Sequence, residues 1–189
     1  LAQLLASMKD ADGQVTIDGF HDEVRPLSEA ERAALRAIPN DDAAQMQSLS
    51  LARTEGGGKR RLETAELPSL NVRGLASGRV GGDAANGVPG PATAALDIRL
   101  VGDMHHARTV QTVIRHIQRQ GYHVVSEAPS ADVLRTHPRV ARVQVDPYGY
   151  DAARTPMDHP AAQRVLAALD DGREPLILYP LMGGSLPLS

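Results

Sequence analysis

Cysteine and tryptophan are absent from this chain of 189 residues, and phenylalanine occurs once, as Phe20. Without cysteine there is no disulfide, no thiolate metal site and no cysteine nucleophile. Aromatic residues make up 3%, so the core must be aliphatic, and hydrophobic residues at 42% are enough to build one. Charge of one sign is also lacking. A net charge of -3 gives no electrostatic case for nucleic acid or an acidic membrane surface. No apolar run approaches the roughly 18 residues of a membrane span, and no basic segment precedes the apolar opening residues as in a signal peptide. The expectation is a cytoplasmic protein with no nucleic-acid or membrane partner.

Catalytic signatures are equally scarce. Seven histidines are spread from His21 to His159, with no His-x-His, His-x-Asp or His-Glu-x-x-His spacing. His105 and His106 are adjacent and point apart at a helix start. Zinc needs three or four converging donors, so no metal ligand is assigned. No Gly-x-Ser-x-Gly elbow is present, and residues 77–82 lack the full dinucleotide-binding fingerprint. No catalytic residue is assigned.

What is there centres on residues 86–101. Ala94, Leu96, Ile98 and Leu100 alternate with Thr93, Asp97 and Arg99, the period of a half-buried strand. Pro89, Pro91, Gly87 and Gly90 make the preceding residues a turn. Asn86 and Arg99 therefore sit at opposite ends of one extended segment. A guanidinium on a strand offers paired planar donors to a carboxylate. It can equally form an ion pair with Asp97 or a neighbouring strand. Gly184 and Ser185 lie in a Gly-Gly-Ser turn that either binds an anion through freed amides or is only a turn.

Along the chain the spacing predicts a helix over 1–8, a short strand over 14–18, and helices over 29–38 and 41–49. Ser28 and Glu31 form a capping-box pattern. Residues 54–61 read as a mobile glycine-rich loop. Strands follow over 69–78 and 93–100. Asp103 is expected to cap a helix running to Gln120, with Val110, Val113, Ile114 and Ile117 on its apolar stripe and Gly121 as its stop. A strand over 122–126, helical turns over 130–136 and a strand over 140–146 come next. After a turn-rich linker, a helix spans 160–169. An apolar strand over 175–180 suggests a sheet buried on both faces. The fold class is α+β. Residues 1–146 read as a ferredoxin-like domain, an antiparallel sheet with helices on one face. Its first strand is missing and a helical insertion occupies 9–61. Residues 147–189 read as a short α/β segment, and the two ends of the chain suggest a piece of something longer.

Five segments, in order, carry a resemblance: Lys9-Asp-Ala-Asp-Gly-Gln-Val-Thr-Ile-Asp-Gly-Phe20, Leu70-Asn-Val-Arg-Gly-Leu75, Asn86-Gly-Val-Pro89, Leu96-Asp-Ile-Arg-Leu100 and Gly183-Gly-Ser-Leu-Pro187. Together they resemble metallopeptidase family twenty, the family of carnosine dipeptidase, aminoacylase and glutamate carboxypeptidase. The resemblance implies a two-domain hydrolase of peptide or amide bonds, with two zinc ions in a catalytic domain and a lid, or dimerisation, domain inserted within it. Residues 1–146 match the lid and 147–189 the return to the catalytic domain. It implies that Arg99 holds the substrate's terminal carboxylate, that Asn86 reaches the partner subunit's active site, and that Gly184 and Ser185 contact substrate. The substrate would be a peptide or an N-acyl amino acid, and the partner a second copy of the chain. The family's metal ligands and general base would lie before Leu1 or after Ser189, so the chain alone is expected to be inactive and to hold no cofactor. The competing expectation is a free-standing ferredoxin-like small-molecule-binding or regulatory module.

Overall fold

The computed structural model describes residues 1–181. Two short sheets and seven helices are present among them. Helix α1 (Ala2–Ala6) opens the chain. Next come α2 (Glu29–Ala37), α3 (Asp42–Ser48) and α4 (Arg61–Thr64). Strands β1 (Ser69–Ala76) and β2 (Thr93–Arg99) form an antiparallel hairpin. Helix α5 (His106–Arg119) leads to β3 (His123–Val125). Helix α6 (Ala131–Thr136) leads to β4 (Val140–Arg142), and α7 (Pro160–Leu169) comes last.

Local chemistry accounts for several of these boundaries. Ser28 Oγ accepts from the Glu31 amide at 3.2 Å, and Glu31 Oε2 accepts from the Ser28 amide at 2.7 Å. Both halves of the capping box are thus made. Gly121, at φ +85, ends α5 in a conformation that costs glycine nothing. Arg60 caps the other end of α2, donating to the carbonyls of Leu35 at 3.0 Å and Ile38 at 2.8 Å.

The core is aliphatic apart from Phe20. Leu4, Met8, Val15, Ile17, Phe20, Leu70, Val113 and Ile117 form one buried cluster, and Leu96 and Ile98 pack against it from β2. Residues 9–61, expected to be an insertion, thus supply Val15, Ile17 and Phe20 to the core.

Several expectations need correction. The single antiparallel sheet is two separate sheets, and β3 pairs with β4 in parallel. Residues 14–18 contribute an isolated bridge, Lys9 to Val15, and not a strand. Asp103 does not cap α5: it adopts φ +72, and His105 takes the N-cap position. The α5 amide of His106 is instead satisfied from a distance by Asp151 Oδ1 at 2.8 Å. The stretch 54–61 is tied down, by Lys9 to Glu55 at 3.1 Å and by the Gly56 amide to the Asp12 carbonyl at 3.0 Å. A register shift between Val72 and Gly74 leaves Arg73 without a partner. This bulge moves Leu75 opposite Ala94, onto the face of Leu70 and Val72, where simple alternation puts it on the polar face. Residues 175–180 form no strand. A strand persists only in a ladder, no described residue pairs with them, and Leu176, Ile177 and Tyr179 are exposed.

Candidate functional site

Between the two sheets lies an open cavity of about 2090 Å³. One wall is β2, from Ala94 to Arg99. The other is β4 and the residues after it, from Val140 to Val145. Leu4, Leu5 and Met8 of the first helical segment and Val110, Val113, Ile114 and Ile117 of α5 form an apolar floor. Val113 and Ile117 are buried, whereas Val110 and Ile114 are only half-buried. The apolar stripe of α5 thus faces a space that no other described element fills. Four arginines line it, Arg61, Arg73, Arg99 and Arg142.

Arg99 is held from its own strand. Residues two apart on a strand share a face, and Arg99 Nε donates to Asp97 Oδ2 at 2.8 Å. Across the hairpin, Ser69 faces Arg99 and Asn71 faces Asp97, and Asn71 Nδ2 donates to Ser69 Oγ at 3.2 Å. The Arg99 side chain is 61% exposed. Its two terminal nitrogens make no hydrogen bond among the described residues, so one edge of the guanidinium is fixed and the other is open.

The remaining candidates do not join it. Asn86 is exposed in the connection between the strands and does not line the cavity. Six strand steps of roughly 3.3 Å put Thr93 about 20 Å from Arg99, and Asn86 lies beyond Thr93. Gly184 and Ser185 lie outside the described residues.

Other polar groups come together without any sequence signal. Ser7 Oγ donates to the Leu4 carbonyl at 2.7 Å, so its 2.9 Å contact with His116 Nε2 is one in which the ring N–H donates. That orientation leaves the serine with no base, so the pair is structural. Burial, helped by nearby Arg119, holds His116 below the ordinary histidine value. Glu23 binds His105 Nδ1 at 2.8 Å and Arg108 at 3.3 Å. Burial alone would raise the Glu23 carboxyl, but the hydrogen bonds from His105 and the charge of Arg108 bring it below its usual value. The hydrogen bond to Glu23 raises His105. Arg25, Glu31, Glu66 and Arg154 form a buried charged cluster. Among the described residues no three His, Cys, Asp or Glu side chains converge to hold a metal ion, and no helix is long and apolar enough to cross a membrane.

No protein-family model matches the chain. It is 26% identical over 156 residues to human Beta-Ala-His dipeptidase, an alignment covering 78% of this chain and 30% of that protein. Among solved structures it is similar to the M20 family metallo-carboxypeptidase Sso-CP2 from Sulfolobus solfataricus. That likeness has a TM-score of 0.57 and 30% identity, over 64% of this chain and 28% of that one. It is also similar to human carnosine dipeptidase 1, with a TM-score of 0.55 and 27% identity, over 61% of this chain and 25% of that one. The fold further matches the di-peptidase Dug1p from Saccharomyces cerevisiae, with a TM-score of 0.53 and 24% identity, over 62% of this chain and 25% of that one. The chain thus spans about 30% of the length of the curated relative it matches.

Proposed function

This chain is a member of metallopeptidase family twenty, and from that premise we propose that residues 1–146 are the lid, or dimerisation, domain of a peptide- or amide-hydrolysing enzyme. Residues 147–189 lead back to its catalytic domain. The observation that carries this reading is the cavity between the sheets. A ferredoxin-like sheet keeps its first strand in the centre, flanked by two later strands. Among the described residues β2 and β4 flank an unfilled centre above an apolar helical floor, which supports a domain whose first strand comes from elsewhere in the protein.

Within that enzyme Arg99 is the substrate-facing group. A dipeptidase and a carboxypeptidase both work beside a free terminal carboxylate. Asp97 fixes the Nε edge of Arg99, and the two open nitrogens can then receive both carboxylate oxygens. The charge of the guanidinium favours the ionised carboxylate over an amide. Asn86, at the far end of the hairpin, is assigned to contact with a second copy, and Gly184 and Ser185 to the substrate side of the return segment. The two zinc ions of the family belong in this reading to the rest of the enzyme. The described residues offer no ligand set for them, and no step through a metal is assigned to this chain.

The test is Arg99→Ala in a full-length protein that carries this chain. Loss of a charged hydrogen bond of about 1.5–3 kcal/mol predicts a fall of about ten- to a hundred-fold in kcat/KM for substrates with a free carboxylate. Their amides should be much less affected. Arg99→Lys should recover only part, since an ammonium cannot make the paired planar contact. A variant that keeps its preference for free carboxylates would refute the assignment.

A further inference from the structure

The two parts of the chain are joined through residues 147–159, and the bonds along that stretch are unevenly placed. The turn at 147–150 is closed on both sides. Asp146 Oδ1 accepts from the Tyr148 amide at 2.9 Å, and Gly149 lies against His106 so closely that a Cβ there would fall 2.0 Å from Nε2. Asp151 accepts from the His106 amide at 2.8 Å, and the Ala152 amide donates to the Met104 carbonyl at 3.1 Å.

Arg154 goes deepest. Its side chain is 3% exposed and lies between two buried carboxylates, with Nε 3.6 Å from Glu31 Oε1 and Nη1 3.4 Å from Glu66 Oε2. Its Nη2 donates to the Arg25 carbonyl at 3.4 Å. The Arg25 guanidinium lies 3.5 Å from the same Glu31 oxygen. Two positive and two negative groups are thus packed together, and Asp103, at the exposed margin, faces Arg25 Nε at 3.6 Å. Gly102 makes the room: a Cβ there would come within 3.0 Å of Arg154 Cβ and 3.1 Å of its Nε. Beyond Arg154 the pattern changes. Among the described residues, the hydrogen bonds and ion pairs of 155–181 stay inside that stretch, as from the His159 amide to Pro156, from Gln163 to Met157 and from Arg173 to Asp171.

We propose that the buried cluster of Arg25, Glu31, Glu66 and Arg154 is an ionic latch that fastens residues 151–154 to the body carrying α5 and the insertion, so that the pivot toward α7 lies in residues 155–159 and not in the turn at 147–150. A buried charge that loses its partner is left uncompensated in a medium that solvates it poorly, so the latch holds strongly or not at all. Pro156 has no amide to donate, and Pro160 opens α7 at a position that needs none. Among the described residues no hydrogen bond or ion pair ties 155–159 to the body before it, whereas Met157 and His159 are tied to α7, by Gln163 Nε2 at 2.6 Å and by the Ala161 amide at 3.2 Å.

Hydrogen exchange on the 189-residue chain reads this amide by amide. In Arg154→Met, exchange at Ala152 and His106 should rise by roughly tenfold or more, while Val113 and Ile117 inside α5 change by less than about threefold. Arg154→Lys should restore part of the protection, since an ammonium reaches one carboxylate at a time. Protection at Ala152 that is unchanged, or that falls only in step with Ile117, would overturn the latch. The unaltered chain gives an independent reading. Trypsin should cut the exposed Arg79–Val80 bond roughly tenfold or more faster than Arg154–Thr155, and equal rates would also overturn it.

Discussion

Ser7 and His116 show how much one pair of side chains can set. The His116 ring is 8% exposed and spends its Nε2 hydrogen on Ser7 Oγ. Its folded-state pKa is held below the ordinary value of about 6.5. A depressed pKa means that the folded state resists the proton. His116 therefore contributes stability that is complete above pH 6.5 or so and is lost as pH falls through the lower folded value. Thermal melts of the wild-type chain should show this loss on the acid side of pH 6.5, and His116→Gln should flatten it. An unchanged acid slope in the variant would place the titration elsewhere. The sequence made Arg99 and Asp97 legible as a pair on one face, because strand alternation is local. It could not make Ser7 and His116 legible, since only the tertiary fold brings α1 against α5. The same holds for Arg154, which meets Glu31 and Glu66 from a remote part of the chain.

Among the elements, α2 carries two jobs on one residue. Glu31 closes the capping box with Oε2 and faces Arg25 and Arg154 with Oε1. Ser28→Ala removes only the cap, worth about 1 kcal/mol, and should lower Tm by about 2–4 °C. Glu31→Gln keeps an acceptor for the Ser28 amide but leaves Arg154 short of a counter-charge. Removing one partner of a buried pair costs about 3–5 kcal/mol, so Tm should fall by roughly 6–20 °C. Equal losses in the two variants would mean that Glu31 acts as a cap alone. The capping box was readable because it is four residues long. Element order was readable from periodicity, as was the stop of α5 at Gly121. The start of α5 was not. An aspartate before a helix usually caps it, but Asp103 is turned into the left-handed region and Asp151 serves from across the fold. Residues 175–180 have the composition of a buried strand, but composition cannot supply the neighbours that a strand needs.

At the scale of the molecule the open cavity dominates. The division of the expected sheet into two follows from it: among the described residues β2 and β4 have no common partner. Among the described residues no strand pairs with the outer edge of β1 either, and its Val72 and Leu75 are 47% and 62% exposed. Open edges recruit strands. The chain, 20.1 kDa as a single copy, should therefore pair with itself. Light scattering at high concentration should give a mass of two copies or more, and a monodisperse single copy would contradict the expectation. The central claim is that this chain serves a metallopeptidase, and steady-state hydrolysis of an unmodified dipeptide by a full-length protein containing it tests that most directly. The account predicts hydrolysis that is abolished by a chelator and restored by zinc. Hydrolysis indifferent to the chelator, or none in the metal-loaded protein with any dipeptide tried, would contradict it.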